Sequence, residues 1–406
     1  MQDPALIRGM TSRRLSRREL LVRGAAGALA ISPFAAACGG SSAKTPAKVG
    51  DPAWWKEQRP TGELVFANWP LYIDYRNWLK DRPTLNDFSR QSGVMVTYEE
   101  IIENNAQFAG QMAKTLASGR ATGYDLVVLT NSWQLTQLVD KGYLVPLDHS
   151  QLGNFARYAS PLVKSPAYDP GNKYTVAWQS GFTGIAYDSR RIDRNSITSV
   201  HDLWNPAYAG RVGMMTDLND FGSAGLLYIG ADVTNSTEDD WHRAGEALQR
   251  QKDAGIVHHY YDQRYIDALE RGDVWITQAW SGDVFQARAS GYPHLEFVVP
   301  EEGVMHWTDN MMIPMHAANP QSAIMWMDFY YQPAVAARVA DWVNYITPVP
   351  DAKAIIATNL DDPTVADSPY VFPTPEIQRK FVAYYDPKGV EDQLKWTSIF
   401  DPIIQS

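Results

Sequence analysis

The chain has 406 residues, of which 45% are hydrophobic and 12% aromatic, and its formal net charge at pH 7 is −10. This length and apolar content allow two packed domains and exclude an intrinsically disordered chain. The acidic balance argues against a nucleic-acid partner, because such proteins carry clustered basic surface.

The first 37 residues are typical of an export signal. Residues 16–21 contain a twin-arginine pattern, and a short apolar stretch and three alanines lead to Cys38, the only cysteine in the chain. A single cysteine excludes an intramolecular disulfide. Its surroundings resemble the lipobox of bacterial lipoproteins, although Ala35 stands where an aliphatic residue is usual. We therefore expect lipidation of Cys38 and a flexible tether over residues 38–61.

Short apolar runs alternate with amphipathic segments in the first half of the chain. The patterns predict strands at 64–66, 94–98 and 124–129, and helices at 83–91, from 104 to a stop at 119, and around 135–139. Such alternation is typical of parallel strands joined by crossover helices.

The second half shows the same alternation. We predict strands at 211–215 and 274–278 and helices at 237–254, 319–330 and 333–343, with Asn319 capping the helix at 319–330. The predicted fold class is therefore α/β, with two units and a cleft between them. Ligands of such folds bind beyond the carboxyl ends of the strands.

Two segments pair an indole with a nearby carboxylate. Residues 279–283 hold Trp280 and Asp283, and residues 306–310 hold Trp307 and Asp309. A tryptophan face attracts an ammonium group by about 0.5–2 kcal/mol, and a carboxylate adds a charge-assisted hydrogen bond. These segments indicate recognition of a small organic cation.

Two further segments follow predicted strands. Trp69 and Tyr72 suit a cleft wall or, equally, an ordinary core. Asp217 and Asp220 could both face the cleft, or Asp220 could instead cap the next helix. Both alternatives stay open at this point.

Motifs for common cofactors do not occur in the sequence. The eight histidines show no metal-ligand spacing, and no dinucleotide, phosphate-loop or serine-hydrolase motif is present. We expect neither a metal nor another cofactor.

Seven short segments between about residues 63 and 350 form an ordered set. They are Asn68-Trp69-Pro70-Leu71-Tyr72, Gly123-Tyr124-Asp125-Leu126-Val127-Val128, Asp202-Leu203-Trp204 with Gly210, Met215-Thr216-Asp217, Ala279-Trp280-Ser281-Gly282-Asp283, Pro300-Glu301-Glu302-Gly303 with Trp307-Thr308-Asp309, and Asn344-Tyr345-Ile346-Thr347-Pro348. In this order they resemble the spermidine/putrescine-binding proteins of bacterial ABC importers.

The resemblance implies a ligand cage. Its aromatic members would be Trp69, Tyr72, Trp280, Trp307 and Tyr345, and its other members Thr130, Asp217, Asp220, Asp283 and Asp309. Asp283 matches an acid used by putrescine-type members. Three departures concern selectivity: Asp220 replaces a glutamate, Ser132 replaces a tyrosine, and a glutamine near the C-terminus has no clear counterpart.

The resemblance also implies a periplasmic-binding-protein fold, in which two α/β lobes with mixed or parallel sheets are joined by hinge crossings around a central cleft. We expect lobe 1 at 62–182 and 307–354, and lobe 2 at 185–305 and 356–406, with crossings near 181–184, 303–307 and 350–354. The expected protein is a monomeric, non-enzymatic lipoprotein on the outer face of the cell membrane. It would capture putrescine or spermidine for an ABC permease.

Two alternatives remain. The same fold could bind another organic cation, such as agmatine or a quaternary amine. Tryptophan platforms with paired acids also occur in secreted carbohydrate-active enzymes.

Overall fold

A computed structural model describes residues 47–405. The predicted export signal and the predicted lipidation at Cys38 lie outside these residues. The predicted tether is too long: helix α1 (Pro52–Glu57) buries Trp55, whose indole N–H donates to the Pro146 carbonyl at 3.0 Å. The packed body therefore begins near residue 49, because an aromatic anchor docks this segment.

Within the described residues, ten strands form one mixed sheet. They are β1 (Glu63–Asn68), β2 (Met95–Glu100), β3 (Leu126–Thr130), β4 (Thr175–Asp188), β5 (Val212–Met215), β6 (Val257–Tyr261), β7 (Ile276–Trp280), β8 (Leu295–Val298), β9 (Val304–Met312) and β10 (Phe381–Val382).

The order of strands is β2-β1-β3-β9-β4-β7-β5-β6, with β10 beside β9 and β8 beside β4. The outer groups β2-β1-β3 and β7-β5-β6 are parallel, whereas β9 and β4 run antiparallel to their main neighbours. The two long strands β4 and β9 therefore join the two parallel halves, and the predicted mixed α/β class is confirmed.

Helices connect the strands along the chain. After α1 they are α2 (Pro83–Ser92), α3 (Asn105–Ala117), α4 (Trp133–Asp140), α5 (Gly153–Tyr158), α6 (Leu218–Tyr228), α7 (Glu238–Asp253), α8 (Tyr265–Arg271), α9 (Ser281–Ala289), α10 (Pro320–Tyr330), α11 (Pro333–Val343), α12 (Ala352–Asn359), α13 (Pro363–Ala366), α14 (Pro375–Gln378) and α15 (Val390–Gln405).

Two helix ends illustrate the local chemistry. Gly93 ends α2 in the left-handed conformation at φ 74°, as glycine permits. Asn319 occupies the N-cap position of α10, but the predicted side-chain cap does not form, because its Oδ1 accepts from Thr61 and its amide donates to Asp125 at 2.8 Å. Pro320 at the first helical position still starts α10.

Buried apolar side chains form separate clusters on the two sides of the central strands. The largest includes Phe66, Val128 and Trp326, and another surrounds Met214 and Phe221. This arrangement leaves the carboxyl ends of both parallel groups next to the central strands.

The segment after residue 350 departs from the expected lobe boundary. Ile356, Val365 and Val371 belong to the cluster of Phe66, although the sequence assigned them to lobe 2. The reason is that α12 follows α11 after residues 344–351 and packs against it. The chain joins the cluster of Met214 and Phe221 near Val382 and Tyr385. The division into two lobes itself stays a prediction.

Among residues 47–405, none of the helices combines the length and apolar character needed to cross a bilayer.

Trp55→Ala tests the docking of α1. Loss of this buried indole should lower the free energy of unfolding by about 3–5 kcal/mol, as is usual for large aromatic truncations. Urea denaturation measures the change. Trp54→Ala is the matched control, because Trp54 is only partly buried and should cost less; equal costs for the two variants would contradict the docking.

Candidate functional site

Asp309 lies in the middle of the sheet with both carboxylate oxygens engaged. It sits on β9 directly opposite Thr130 of β3, and only 4% of its surface is exposed. Thr130 Oγ1 donates to Oδ1 at 2.6 Å, and the Tyr72 hydroxyl donates to Oδ2 at 2.6 Å. Tyr72 reaches this position because it follows the carboxyl end of β1.

Asp283 occupies the first turn of α9, just after β7. Its Oδ1 accepts from the Tyr345 hydroxyl at 2.6 Å and its Oδ2 from the Tyr265 hydroxyl at 2.7 Å. Tyr345 comes two residues after α11, so this pair joins two distant parts of the chain. Both oxygens of Asp283 accept hydrogen bonds from phenol hydroxyls.

Asp220 is the third enclosed carboxylate and is 2% exposed. The indole N–H of Trp280 donates to Oδ2 at 3.1 Å, and the Tyr384 hydroxyl donates to Oδ1 at 2.6 Å. The structure thus brings Trp280 and Asp220 together, as the predicted cage requires.

Asp217 resolves the choice between capping and facing the cleft. It is the N-cap of α6, and its Oδ1 accepts from the backbone N–H groups of Asn219 at 2.9 Å and Asp220 at 3.2 Å. The cap is therefore Asp217, and Asp220 points to Trp280 and Tyr384.

The aromatic rings between these acids touch one another. Tyr72 and Tyr345 meet edge to face with ring centroids 5.7 Å apart, and Trp307 lies 5.4 Å from Tyr345. The rings approach the backbone closely at two glycines. A Cβ at Gly181 would lie 2.4 Å from Trp307, and one at Gly282 would lie 2.6 Å from Tyr345.

Trp69 stands apart from the hydrogen-bonded set. Its indole packs between two hydrophobic clusters at the carboxyl end of β1, and its backbone N–H donates to the side chain of Asn68. Among the described residues, the indole N–H groups of Trp69 and Trp307 are buried without a hydrogen-bond partner.

Burial raises the pKa values of the four acids at this site. Desolvation raises the pKa of Asp309 to about 6, although Thr130 and Tyr72 oppose the shift. Desolvation and the neighbouring Asp217 raise the pKa of Asp220 to about 7. Burial also raises the pKa of Asp283 and of Asp217. Their known donors are hydroxyl, indole and backbone N–H groups, so a bound cation would supply the missing positive charge.

Sequence reasoning missed Tyr265 and Tyr384. Tyr265 begins α8, a helix that the apolar pattern did not indicate, and Tyr384 lies in the C-terminal segment where no counterpart of the family's glutamine is evident. The sequence signal for these two residues was weak, because a tyrosine can belong to a hydrophobic core as well as to a binding site. Ser132 takes a structural part, because its hydroxyl accepts from Asn105 at 3.0 Å.

Metal binding finds no support in the described part of the chain. Within residues 47–405, histidine, cysteine and acidic side chains form no group of three or more that could hold an ion.

The sequence model for bacterial extracellular solute-binding proteins matches residues 84–373. The spermidine/putrescine-binding periplasmic protein of Salmonella typhimurium is 29% identical over 310 residues, which cover 76% of this chain and 83% of that protein. The putrescine-binding periplasmic protein of Escherichia coli is 25% identical over 343 residues, covering 80% and 87%.

Solved structures show the same fold. A spermidine/putrescine ABC transporter substrate-binding protein from Streptococcus pneumoniae superposes with a TM-score of 0.69 at 24% identity, covering 84% of this chain and 98% of that one. A lipoprotein of Treponema pallidum gives a TM-score of 0.70 at 20% identity, covering 85% and 100%. The expected periplasmic-binding-protein fold is confirmed.

Thr130→Val tests the electrostatics of Asp309. Loss of a hydrogen bond to the charged form should raise the carboxyl titration midpoint from about 6. The increase should be roughly one pH unit, since such a bond contributes about 1.5–3 kcal/mol and one unit equals about 1.4 kcal/mol. Carbon-13 NMR of labelled aspartate follows the titration in the empty protein. Thr115→Val on the outer face of α3 is the control, and an Asp309 midpoint near 4 in the unmodified protein would contradict the burial argument.

Proposed function

Because the chain belongs to the bacterial extracellular solute-binding proteins, a family of binding proteins and not of enzymes, we propose that it captures a polyamine outside the cytoplasm and passes it to an ABC permease. The single observation that carries this proposal is the set of three enclosed carboxylates, Asp309, Asp283 and Asp220, separated by aromatic rings. The family assignment replaces the carbohydrate-active enzyme alternative.

The chemistry of the acids favours primary or secondary ammonium groups. Each carboxylate oxygen can accept an additional hydrogen bond, and an ammonium group offers N–H donors together with its charge. A quaternary amine has the charge but no N–H donor, so it would leave these oxygens unsatisfied. Agmatine keeps one ammonium group and is the competing ligand in the test below.

The rings suit the carbon chain of a polyamine. Tyr72, Tyr345 and Trp307 provide apolar faces between Asp309 and Asp283. Methylene groups placed there would leave water, and the ring faces would attract the adjacent ammonium groups. The alternation of acid and ring supports a ligand that alternates amine and alkyl segments.

The proposal also includes closure of two lobes around the bound ligand. Asp309 lies on the side of β1 and β3, whereas Asp220 and Asp283 follow β5 and β7. A ligand that contacts acids on both sides binds the closed form more tightly, and this difference in affinity drives closure. We propose that β4 and β9, which join the two halves, carry the hinge.

Asp309→Asn tests the ligand class. Removing the charge from an enclosed pair should cost about 2–5 kcal/mol of binding, so spermidine or putrescine affinity should fall at least tenfold. Calorimetry with putrescine, spermidine, spermine, agmatine and glycine betaine measures it in both proteins. Asp239→Asn, on the exposed surface of α7, is the matched control. Unchanged polyamine affinity in the Asp309 variant, or tighter binding of glycine betaine than of any polyamine, would refute the proposal.

The membrane anchor is a separate part of the proposal, supported by the sequence around Cys38. Cys38→Ser should leave the folded body intact and release the protein from the membrane. Detergent phase partitioning of expressed cells reports the change. Continued recovery of the variant in the detergent phase would disprove lipidation at this residue.

A further inference from the structure

Tyr265 is the first residue of α8 and is hydrogen-bonded to Asp283, one of the three carboxylates. It is completely buried, and its hydroxyl makes two hydrogen bonds. The hydroxyl donates to Asp283 Oδ2 at 2.7 Å and accepts from the backbone N–H of Trp280 at 3.0 Å. Its ring meets the Trp280 indole edge to face, with centroids 5.7 Å apart.

The direction of these two bonds is determined by the chemistry of the partners. The backbone N–H of Trp280 can only donate, so the Tyr265 oxygen must accept from it. The single phenol proton is then available for Asp283. Because a hydroxyl that accepts one hydrogen bond donates a stronger one, Trp280 reinforces the contact with Asp283.

We propose that Tyr265 is a positioning residue of the cation site: its hydroxyl orients the Asp283 carboxylate and holds the Trp280 backbone, while its ring packs against the Trp280 indole. The inference rests on the proposed function. Tyr265 would not touch the ligand itself; it would act through these two neighbours.

The influence of Tyr265 extends to the other acids. The indole that it supports donates to Asp220 at 3.1 Å. The carboxylate that it supports accepts from Tyr345, whose ring contacts Tyr72, the donor to Asp309. The buried Tyr265 phenol is therefore linked, through these hydrogen bonds and ring contacts, to hydrogen-bond donors of all three carboxylates.

Tyr265 also affects the charge of Asp283. Burial raises the pKa of this carboxyl, whereas hydrogen bonds from Tyr345 and Tyr265 lower it. Tyr72 interacts electrostatically with Asp283 at longer range, and Asp220 does so with Tyr265. Glu296 of β8 forms an ion pair with Arg288 in the last turn of α9. Loss of the Tyr265 hydroxyl should therefore raise the pH at which Asp283 ionises, and an ammonium ligand requires the ionised form.

Tyr265→Phe provides the test, with spermidine and putrescine as the probes. At the acidic end of the measured pH range we expect the variant to bind about tenfold more weakly than the unmodified protein, the size expected for one hydrogen bond to a charged group. The loss should shrink toward the alkaline end, because the Tyr265 hydroxyl lowers the pKa of Asp283 and its removal matters least where Asp283 is ionised in both proteins. Calorimetry across this pH range measures both effects.

Tyr331→Phe is the matched control. Its hydroxyl is equally buried and donates to the Ala177 carbonyl at 2.7 Å, with no carboxylate as partner. We expect this variant to lose stability without changing the pH profile of binding. Equal profiles for the two variants, or a loss at Tyr265 that does not depend on pH, would overturn the inference.

A second variant keeps the test valid if Tyr265→Phe does not fold. 3-Fluorotyrosine at position 265 keeps the hydroxyl and makes it a stronger donor, so the pH dependence of binding should shift to lower pH. No shift, or a shift to higher pH, would overturn the inference. If the unmodified protein binds neither polyamine, the proposed function fails; if it binds them while both Tyr265 variants behave like the control, only the positioning inference fails.

Discussion

The site depends on one constraint: Asp309 and Asp220 are buried and Asp283 is half-buried, and none of the three forms an ion pair within the part of the chain that the structure describes. A carboxylate removed from water must gain hydrogen bonds or take up a proton. Here the compensation comes from hydroxyl and indole groups: Thr130 and Tyr72 on Asp309, Tyr345 and Tyr265 on Asp283, and Trp280 and Tyr384 on Asp220. These donors orient the acids without neutralising them. This arrangement supports the proposal of a positively charged ligand, whose charge would balance the three acids.

The central strands make this arrangement possible. β4 pairs with β9 along most of its length and with β7 and β8 beyond, so one strand contacts both halves of the sheet. Glycine at position 181 lets the Trp307 ring lie directly on β4, and glycine at 282 lets Tyr345 lie on the start of α9. A side chain at either position would push an aromatic wall away from its acid. Close backbone approach and aromatic packing are thus coupled in this cleft.

Local sequence patterns predicted much of the α/β framework. The apolar runs at 64–66 and 124–129 became β1 and β3, and the capped segments at 83–91 and 237–254 became α2 and α7. These elements follow from periodicity and end signals within a few residues. The sequence also identified Trp280 and Asp283 as candidate residues for binding an organic cation. The tether and the side-chain cap at Asn319 were misjudged, because each depends on a distant segment: Pro146 for the tether, and Thr61 and Asp125 for Asn319. The boundary near 356 was misjudged because α12 packs back onto the preceding α11.

The sequence by itself determined the fold class, the outer strands β1, β2, β3, β5 and β7, and the residue types suited to an organic cation, because these depend on local periodicity and on side-chain chemistry. It did not indicate the central strands β4 and β9. Only the tertiary structure decided which acid caps a helix and which faces the aromatic rings: Asp217 and Asp220 are three residues apart, and the start of α6 separates their roles. It also revealed Tyr265 and Tyr384, whose partners lie 18 and 164 positions away along the chain. Hydrogen bonds across such separations arise from how the strands and helices pack, and no local pattern encodes them.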